Sequence, residues 1–305
     1  MHNQKQIKMD KMFTGLSIYD FQKQFGDDKS CIDALVKLKW AKGYSCRYCN
    51  YKNYCKTKRY GERRCCSCKK PESATAHTLF HKLKFPIHKA FMMLFLISTT
   101  KKGISAAELH RKIGVHKRTA LLFKRKAMEA MGSHCIHKMD GDVEVDETSV
   151  GQKETGKVGR SKGSKKLVVV AIKLDGKGIS KAYARHIENA GVKELRPFFQ
   201  DHVDKEANVR TDGWRSYTSI KKTYKNLTQE KSENGKNFNQ MHRFIMNFKA
   251  WLRGIHGSVR DLQKYLDEYC YKFNRNKSAG NIFNLLLKRM ANYPPRTSKQ
   301  IFSVS

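Results

Sequence analysis

Acidic residues are scarce in this sequence. Aspartate and glutamate number 27 against 62 lysines and arginines, which leaves a formal net charge of +35 at pH 7. A surplus of one sign this large repels itself and weakens the compact state unless a polyanion neutralises it. Because the basic residues are spread along the whole chain, the composition favours the phosphate backbone of a nucleic acid as the partner, ahead of a membrane surface.

Long hydrophobic runs and prolines are also few. The longest apolar candidate, AFMMLFLIS at 90–98, is well short of the ~18 residues of a membrane span and predicts a buried helix. The amino terminus is polar and charged and shows no signal peptide. The nine cysteines, four of them in CxxC pairs, favour metal binding in a reducing compartment over disulfides. We therefore expect an intracellular protein without a membrane partner.

The cysteines follow a metal-binding pattern. The pairs CRYC at 46–49 and CCSC at 65–68 give the spacing C-x2-C-x15-C-x2-C, which is typical of zinc ribbons. Four thiolates complete a tetrahedral site with no open position, so we expect structural Zn²⁺. Cys66 is an alternative to one ligand of the second pair, and Cys55 is a spare. The predicted ligands are Cys46, Cys49, Cys65 and Cys68.

The segment 104–131 has the pattern of two helices joined by a short turn. Ser105 is a predicted N-cap with Glu108 completing a capping box, and Gly114 follows the first helix. A basic second helix then begins near 116–119, which is the arrangement of a helix-turn-helix. Leu121, Leu122 and Met128 are expected to pack inward. The residues expected to face DNA are Lys117, Arg118, Lys124, Arg125 and Lys126.

Two aspartates stand at the ends of predicted strands in the second half of the chain. Asp146 ends an alternating strand in GDVEVDETSVG, and Asp212 ends a short strand in ANVRTDGWRSYTSI. With two strands in 165–187, a helix after them and helices over 238–275, the order predicts an RNase H-like α/β core. The two carboxylates would then converge on a hard divalent ion such as Mg²⁺, in an arrangement able to hold two metals.

These motifs together resemble a known family. VEVDETSVG, TDGWRSY, TLFHKLKFPIHKAFMMLFL (78–96) and WLRGIHGSVRDLQKYLDEYCYKFNRN (251–276) resemble bacterial insertion-sequence transposases of the DDE type. Within these, they resemble the group with a zinc ribbon ahead of an ISXO-type transposase domain. The resemblance implies Mg²⁺-dependent DNA cleavage by water, then attack of the freed 3′-hydroxyl on target DNA. It also implies that Asp146 and Asp212 are the first two metal-binding acids.

The family's third position is an acid or another metal-capable side chain, with Lys or Arg seven residues later. No acid lies between Glu233 and Asp261, and counting back from Lys249 leads to His242. In a helix these two side chains share one face with Arg253, beside an apolar stripe. The stripe consists of Met241, Ile245, Phe248, Leu252 and Ile255.

We therefore predict His242 as the third ligand, for Mg²⁺ or, because of its nitrogen, Mn²⁺. Lys249 would hold a phosphate, and Arg253 would contact DNA. Asn239 and Asn247 are the nearest substitutes for His242, ahead of Glu233. We expect Glu147 to point to the opposite face of its strand and to be structural.

The predicted organisation has four parts: an amino-terminal helix and zinc ribbon (1–80), a helix-turn-helix region (81–135), the catalytic domain (136–280) and a tail (281–305). The predicted function is DNA transposition from the terminal repeats of an insertion sequence. The alternatives are a catalytically inactive DNA-binding regulator and a nuclease that does not transpose. We expect double-stranded DNA, both transposon ends and target, as partner, and a homodimer or higher oligomer on it. The expected location is the bacterial cytoplasm, at the nucleoid.

Overall fold

The chain forms two units, and the second is inserted in the first. The computed structural model describes residues 17–133, 137–151, 165–231, 233, 236–255, 261–276 and 282–303. Over these ranges one unit comprises Met1–Ala130 with Ser278–Val304, and the other comprises Met131–Lys277. Within the described residues, no helix is long and apolar enough to cross a membrane.

The elements follow one another in a simple order. The first half of the chain contains α1 (Ile18–Phe25), α2 (Asp28–Lys39), β1 (Tyr54–Lys56), β2 (Glu62–Cys65), β3 (Pro71–Ser73), α3 (Ile87–Thr99), α4 (Ala106–Ile113) and α5 (Lys117–Met131). The second half contains β4 (Asp142–Val150), β5 (Lys166–Asp175), β6 (Gly178–Ile187), α6 (Val192–His202), β7 (Asn208–Asp212), α7 (Ser216–Lys221), β8 (Leu227–Glu230), α8 (Asn239–Ile255), α9 (Leu262–Phe273), α10 (Ile282–Asn292) and α11 (Ser298–Phe302).

Local capping explains where the helices of the first unit begin and end. Asp27 accepts a hydrogen bond from the Ser30 N–H at 2.7 Å, which starts α2. Ser105 likewise accepts from the Glu108 N–H at 3.1 Å at the start of α4. Gly114 ends that helix with φ 66°, a left-handed conformation that glycine adopts without steric cost. The predicted bounds of the helical hairpin are therefore confirmed.

The first unit contains the end of the chain. Phe283 of α10 packs edge-on against Phe21 at 5.3 Å between ring centroids, and Phe21 stacks on Phe95 of α3 at 4.3 Å. We expected 281–305 to be a tail, but its described residues contain two helices. Leu286 and Met290 are buried because α10 has an apolar face that this core covers.

The second unit is built on a mixed five-stranded sheet in the order β6-β5-β4-β7-β8. β4 is antiparallel to β5 and parallel to β7, and β7 is parallel to β8. The first three strands form an antiparallel meander and the last two follow helical connections. This is the RNase H-like α/β class that the sequence predicted. The strand β8, in LTQE, was not predicted because its four residues carry no clear alternation of apolar and polar positions.

Helices cover both faces of this sheet. Val143 and Val145 of β4 lie in a core with residues of α6 and α7, including Tyr217. Val168 and Val170 of β5 lie in a second core with residues of α8 and α9. Because side chains alternate along a strand, Glu144 and Asp146 of β4 are directed to the α8 side of the sheet.

Candidate active site

The two aspartates singled out from the sequence lie side by side. Val145 pairs with Thr211 in the parallel register of β4 and β7, so the next residues, Asp146 and Asp212, stand at the edge where that pairing ends. Both side chains are half-buried. One carboxylate oxygen of each, with one from Glu147, lie within 4.8 Å of one another. The sheet topology thus brings together acids that are far apart in sequence.

Glu147 is the member of this group that the sequence did not place there. By strand alternation it does belong to the face opposite Asp146, and its Oε1 accepts a hydrogen bond of 2.5 Å from the Tyr217 hydroxyl. Its carboxylate still reaches the two aspartates, because β4 continues to Val150 while the pairing with β7 stops at Val145. An expectation based on strand faces alone therefore missed a third acidic neighbour.

Tyr217 is a buried donor beside the acids. Burial raises the pKa of Tyr217 well above its usual value, and the negative charges of Glu147, Asp146 and Asp212 raise it further. The phenol therefore stays protonated and can only help the Glu147 carboxylate by donating its hydrogen. This bond fixes one acid of the group from the core beneath it.

A tight turn after β7 holds Asp212. Its Oδ1 accepts a hydrogen bond from the Trp214 N–H at 3.0 Å, the geometry of an Asx-turn. The Trp214 indole N–H and the Ser216 hydroxyl both donate to the Ala190 carbonyl, at 2.9 and 2.7 Å. The turn in TDGW is therefore tied to the loop before α6, which limits the positions that the Asp212 carboxylate can adopt.

The helix α8 supplies a basic side chain to the same edge. Burial lowers the pKa of Lys249 and Arg253 lowers it further, whereas the Asp146 carboxylate acts in the opposite direction. Lys249 is half-buried and Arg253 is exposed. The predicted apolar stripe of this helix is buried apart from Ile255, which is half-buried. The ammonium of Lys249 is therefore close enough to Asp146 for the two charges to interact.

His242 is near the start of α8, about two turns before Lys249. Its side chain is exposed, and within the described residues it is not part of the group formed by Asp146, Glu147 and Asp212. Glu233, the acid ranked below it, hydrogen-bonds through its backbone N–H to Asn237 at 3.2 Å. The part of His242 as a third metal ligand stays a prediction.

A partly buried ion-pair network stands beside the group formed by Asp146, Glu147 and Asp212. Glu144 is only 2% exposed, and Arg210 of β7 contacts it at 3.3 Å and Glu230 of β8 at 3.0 Å. Arg210 also donates to the Asn237 carbonyl at 3.1 Å, just before α8. Burial raises the pKa of Glu144, while Arg210 and the backbone N–H of Met241 lower it. The network joins β4, β7 and β8 to the start of α8. The sequence indicates it only through Glu144, an acid between the apolar residues Val143 and Val145 of β4.

The cysteine cluster has the composition predicted for it. Cys46 and Cys68 are 3.5 Å apart at sulfur, as are Cys49 and Cys65. All four sulfurs lie within 4.8 Å of one another. Cys66 is not in this cluster, since its sulfur lies 2.9 Å from that of Cys55. The structure therefore favours Cys65 over Cys66 as the fourth thiol.

Two residues expected to face DNA are internal. Lys124 of α5 is 1% exposed and Lys126 is 8% exposed, with its ammonium donating to the Leu79 carbonyl at 3.3 Å. The prediction that these lysines face outward is therefore corrected. The buried face of α5 is wider than the leucine and methionine positions suggested, because Ala120 and Phe123 are also buried.

The remaining basic residues of α5 are at the surface. Lys117 and Arg118, at its start, are exposed. Arg125 is half-buried and its guanidinium lies over the Phe302 ring, 4.7 Å from the centroid. A DNA-facing surface on this helix would therefore lie at its amino-terminal end, which is where recognition helices contact bases.

Comparison with known proteins locates a family within the second unit. Residues 138–274 match the family model described as ISXO2-like transposase domain. That range contains the three acids and Lys249 together with every strand of the mixed sheet. No curated protein matches the sequence.

Several solved structures are similar at low identity. The pre-cleavage Mos1 transpososome shares 12% identity at a TM-score of 0.26, over 68% of this chain and 80% of that chain. The Mos1 strand transfer complex shares 12% at 0.29, over 66% and 78%. The mariner Mos1 paired end complex with Mg shares 12% at 0.25, over 68% and 80%. Because these TM-scores are low, the fold assignment depends on the strand order of the sheet. Residues 138–274, a little under half of the chain, are thus similar to the ISXO2-like transposase domain.

Proposed function

We propose that this protein is a DNA transposase that binds the terminal repeats of an insertion sequence and catalyses metal-dependent strand cleavage and transfer. The observation that carries the proposal is the convergence of Asp146, Glu147 and Asp212 within 4.8 Å, inside the matched transposase domain. Metal-dependent phosphodiester cleavage uses acids gathered in this way, because their oxygens are the ligands preferred by Mg²⁺.

The acidic group fits a divalent cation. It offers three hard oxygen donors, and the half-buried aspartates are reachable from solvent. Asp146, Glu147 and Asp212 would hold Mg²⁺ or Mn²⁺, which would supply positive charge at the reacting phosphate and orient it. The four-cysteine cluster fits Zn²⁺, since four thiolates fill a tetrahedral site and leave no position for a substrate.

The protein's own side chains would position the DNA. Lys249, whose charge interacts with that of Asp146, would bind a phosphate oxygen of the transposon end as a fixed positive charge. The exposed Arg253, Lys117 and Arg118 would contact the DNA backbone. His242 is proposed to act from the exposed side of α8, as a metal ligand once an ion and DNA are bound.

The partners follow from the charge and the chemistry. A net charge of +35 suits the polyanionic backbones of both transposon ends and target DNA. Since strand transfer joins two ends to one target, we propose that the protein acts as a homodimer or a higher oligomer on DNA. A bacterial cytoplasmic location, at the nucleoid, is proposed on the same grounds.

A strand-transfer assay tests the proposal. Purified protein is incubated with labelled DNA that carries the element's own ends, a target plasmid, and Mg²⁺ or Mn²⁺. Asp146→Asn and Asp212→Asn keep side-chain shape and remove charge, so we expect a loss of ~100-fold or more in joined product. Asp142→Asn is the matched control, because Asp142 is an exposed acid at the other end of β4. Full activity of Asp146→Asn and Asp212→Asn would overturn the catalytic assignment.

The same assay separates the alternatives. A catalytically inactive regulator would bind the ends without cleaving them in either metal. A nuclease that does not transpose would cleave the ends and leave the target unjoined. Only a transposase produces both cleaved ends and joined target.

A further inference from the structure

A second pair of cysteines lies on the outer side of the three-stranded sheet. Cys55 is in β1 and is exposed, and Cys66 directly follows β2. Their sulfurs are 2.9 Å apart. Neither cysteine belongs to the four-cysteine cluster or to the group of Asp146, Glu147 and Asp212.

Strand geometry explains why this pair is separate from the zinc-type cluster. In the antiparallel register Tyr54 pairs with Cys65, and Cys55 pairs with Arg64. Because consecutive side chains point to opposite faces, Cys65 enters the four-cysteine cluster while Cys66 is directed to the face of Cys55. The backbone N–H of Cys66 bonds to the Asn53 carbonyl at 3.2 Å, which extends the pairing and holds Cys66 beside β1.

We propose that Cys55 and Cys66 are a modification site at which a peroxide forms a reversible disulfide. The two thiols are close enough to be linked by a small shift of the side chains, and the exposed Cys55 is open to a small oxidant. The four thiols of the neighbouring cluster would be protected by coordination to Zn²⁺. Because Cys49 of the cluster is exposed as well, the expected difference between the two sets of thiols is coordination to Zn²⁺, which would occupy only the cluster.

The reaction balances with hydrogen peroxide as the oxidant. The Cys55 thiolate attacks one peroxide oxygen, the O–O bond breaks, and Cys55 becomes a sulfenic acid while the other oxygen leaves as water after protonation. The Cys66 sulfur then attacks the Cys55 sulfur and displaces a second water. Two thiols and one peroxide become one disulfide and two waters, and an external dithiol such as dithiothreitol reverses the step.

The disulfide would join β1 to β2 beside the ligand Cys65. Closing the loop 55–66 restricts the unfolded ribbon, so the oxidised hairpin should hold the second knuckle in place more firmly than the reduced one. The expected consequence is slower loss of Zn²⁺ to a chelator after oxidation. Oxidation of the cluster itself would have the opposite effect, because it would remove ligands and release Zn²⁺.

The experiment uses the zinc-loaded full-length protein and a small excess of hydrogen peroxide. Remaining thiols are alkylated, and disulfide-linked peptides are identified by mass spectrometry while a chelating dye reports released Zn²⁺. We expect the 55–66 link to exceed any link that involves the four cluster cysteines by at least about tenfold. Dithiothreitol should restore both thiols with Zn²⁺ still bound.

Variants make the result specific. Cys55→Ser and Cys66→Ser should each abolish the link and keep their Zn²⁺, whereas Cys31→Ser, a change at a buried thiol, should form it normally. Cys55→Ser is the safer of the two because Cys55 is exposed. The proposal is overturned if Zn²⁺ is released and cluster cysteines pair first, or if both thiols react with the alkylating agent after peroxide treatment that leaves no 55–66 link.

Discussion

Tyr217 donates a hydrogen bond of 2.5 Å to Glu147 from a fully buried position under the acidic group. The bond links the core between the sheet and α6–α7 to the edge where Asp146 and Asp212 meet. A carboxylate held in this way has fewer orientations to lose when a cation binds. The relationship makes Tyr217 a positioning residue for the proposed metal site.

Replacing Tyr217 with phenylalanine should therefore reduce strand transfer. The change removes one hydrogen bond to a carboxylate, which costs about 1–3 kcal/mol in stability, and leaves Glu147 free to turn away. We expect a larger loss of strand-transfer activity at low Mg²⁺ concentration than at saturating Mg²⁺, since the variant would bind the ion more weakly. Tyr224→Phe is the matched control, because Tyr224 is buried in the same core. Equal metal dependence in the two variants would contradict the positioning role.

Glu147→Gln and His242→Ala together decide the third ligand. If Glu147 completes the site, Glu147→Gln loses activity in Mg²⁺ and in Mn²⁺, and His242→Ala keeps most of it. If His242 is the ligand, His242→Ala loses activity and the wild type prefers Mn²⁺, which accepts nitrogen more readily. Strand-transfer yields in both metals give the answer, with DNA binding of each variant measured in parallel. Full activity of His242→Ala in both metals would remove His242 from the ligand set.

Arg210 should be important for stability. Arg210→Met leaves Glu144, which is 2% exposed, without its guanidinium partner; because Arg210 itself is partly exposed, we expect a cost of about 1–3 kcal/mol. Urea unfolding monitored by circular dichroism measures the loss. The double variant Arg210→Met with Glu144→Gln should recover much of it, because no buried charge then remains. A single variant as stable as the parent would show that the network contributes little.

The stability of the second unit should depend on pH through His202. Burial, with a contribution from Arg185, lowers the pKa of His202 to about 4 from 6.5. The unfolded chain therefore takes up a proton as pH falls below about 6.5, whereas the folded chain does so only near 4. The free energy of unfolding should fall over this window by up to about 3 kcal/mol.

His202→Gln should flatten that part of the pH profile. The comparison is between urea-unfolding curves of the parent and the variant from pH 7 to 4, with His186→Gln, on the strand that carries Arg185, as control. A parent and a His202→Gln variant with parallel profiles would be inconsistent with a buried neutral imidazole.

Removal of Zn²⁺ should unfold the ribbon and leave the second unit folded. The strands β1, β2 and β3 have only 3, 4 and 3 residues, too few to hold a sheet without the metal. After chelation, limited trypsin digestion should cut within 52–64, and Cys49→Ser should behave likewise without chelator. Resistance of this segment in metal-free protein would argue against a structural zinc site.

Features set by neighbouring residues were readable from the sequence. The cap at Ser105 and the left-handed Gly114 depend on atoms within a few residues, so the hairpin bounds were predicted. The CxxC spacing likewise identified the cluster, and the order of strands and helices identified the RNase H-like class. Each of these depends on local geometry or on chain order.

The tertiary structure decided what depends on register and on burial. Lys124 looks like a surface lysine in sequence, yet the width of the core-facing surface of α5 places it inside. The segment 281–305 was predicted as a tail from the sequence, whereas in the structure Phe283 packs against Phe21 in the core of the first unit. Cys65 and Cys66 differ only in the strand face they occupy.

The sequence by itself determined that Asp146 and Asp212 stand at strand ends, because alternation and turn residues are encoded locally. That the Glu147 carboxylate joins them was decided by the tertiary structure, at the edge where the pairing of β4 with β7 stops. Such contacts join residues distant in the chain. Their distances follow from the packing of the whole sheet and its helices.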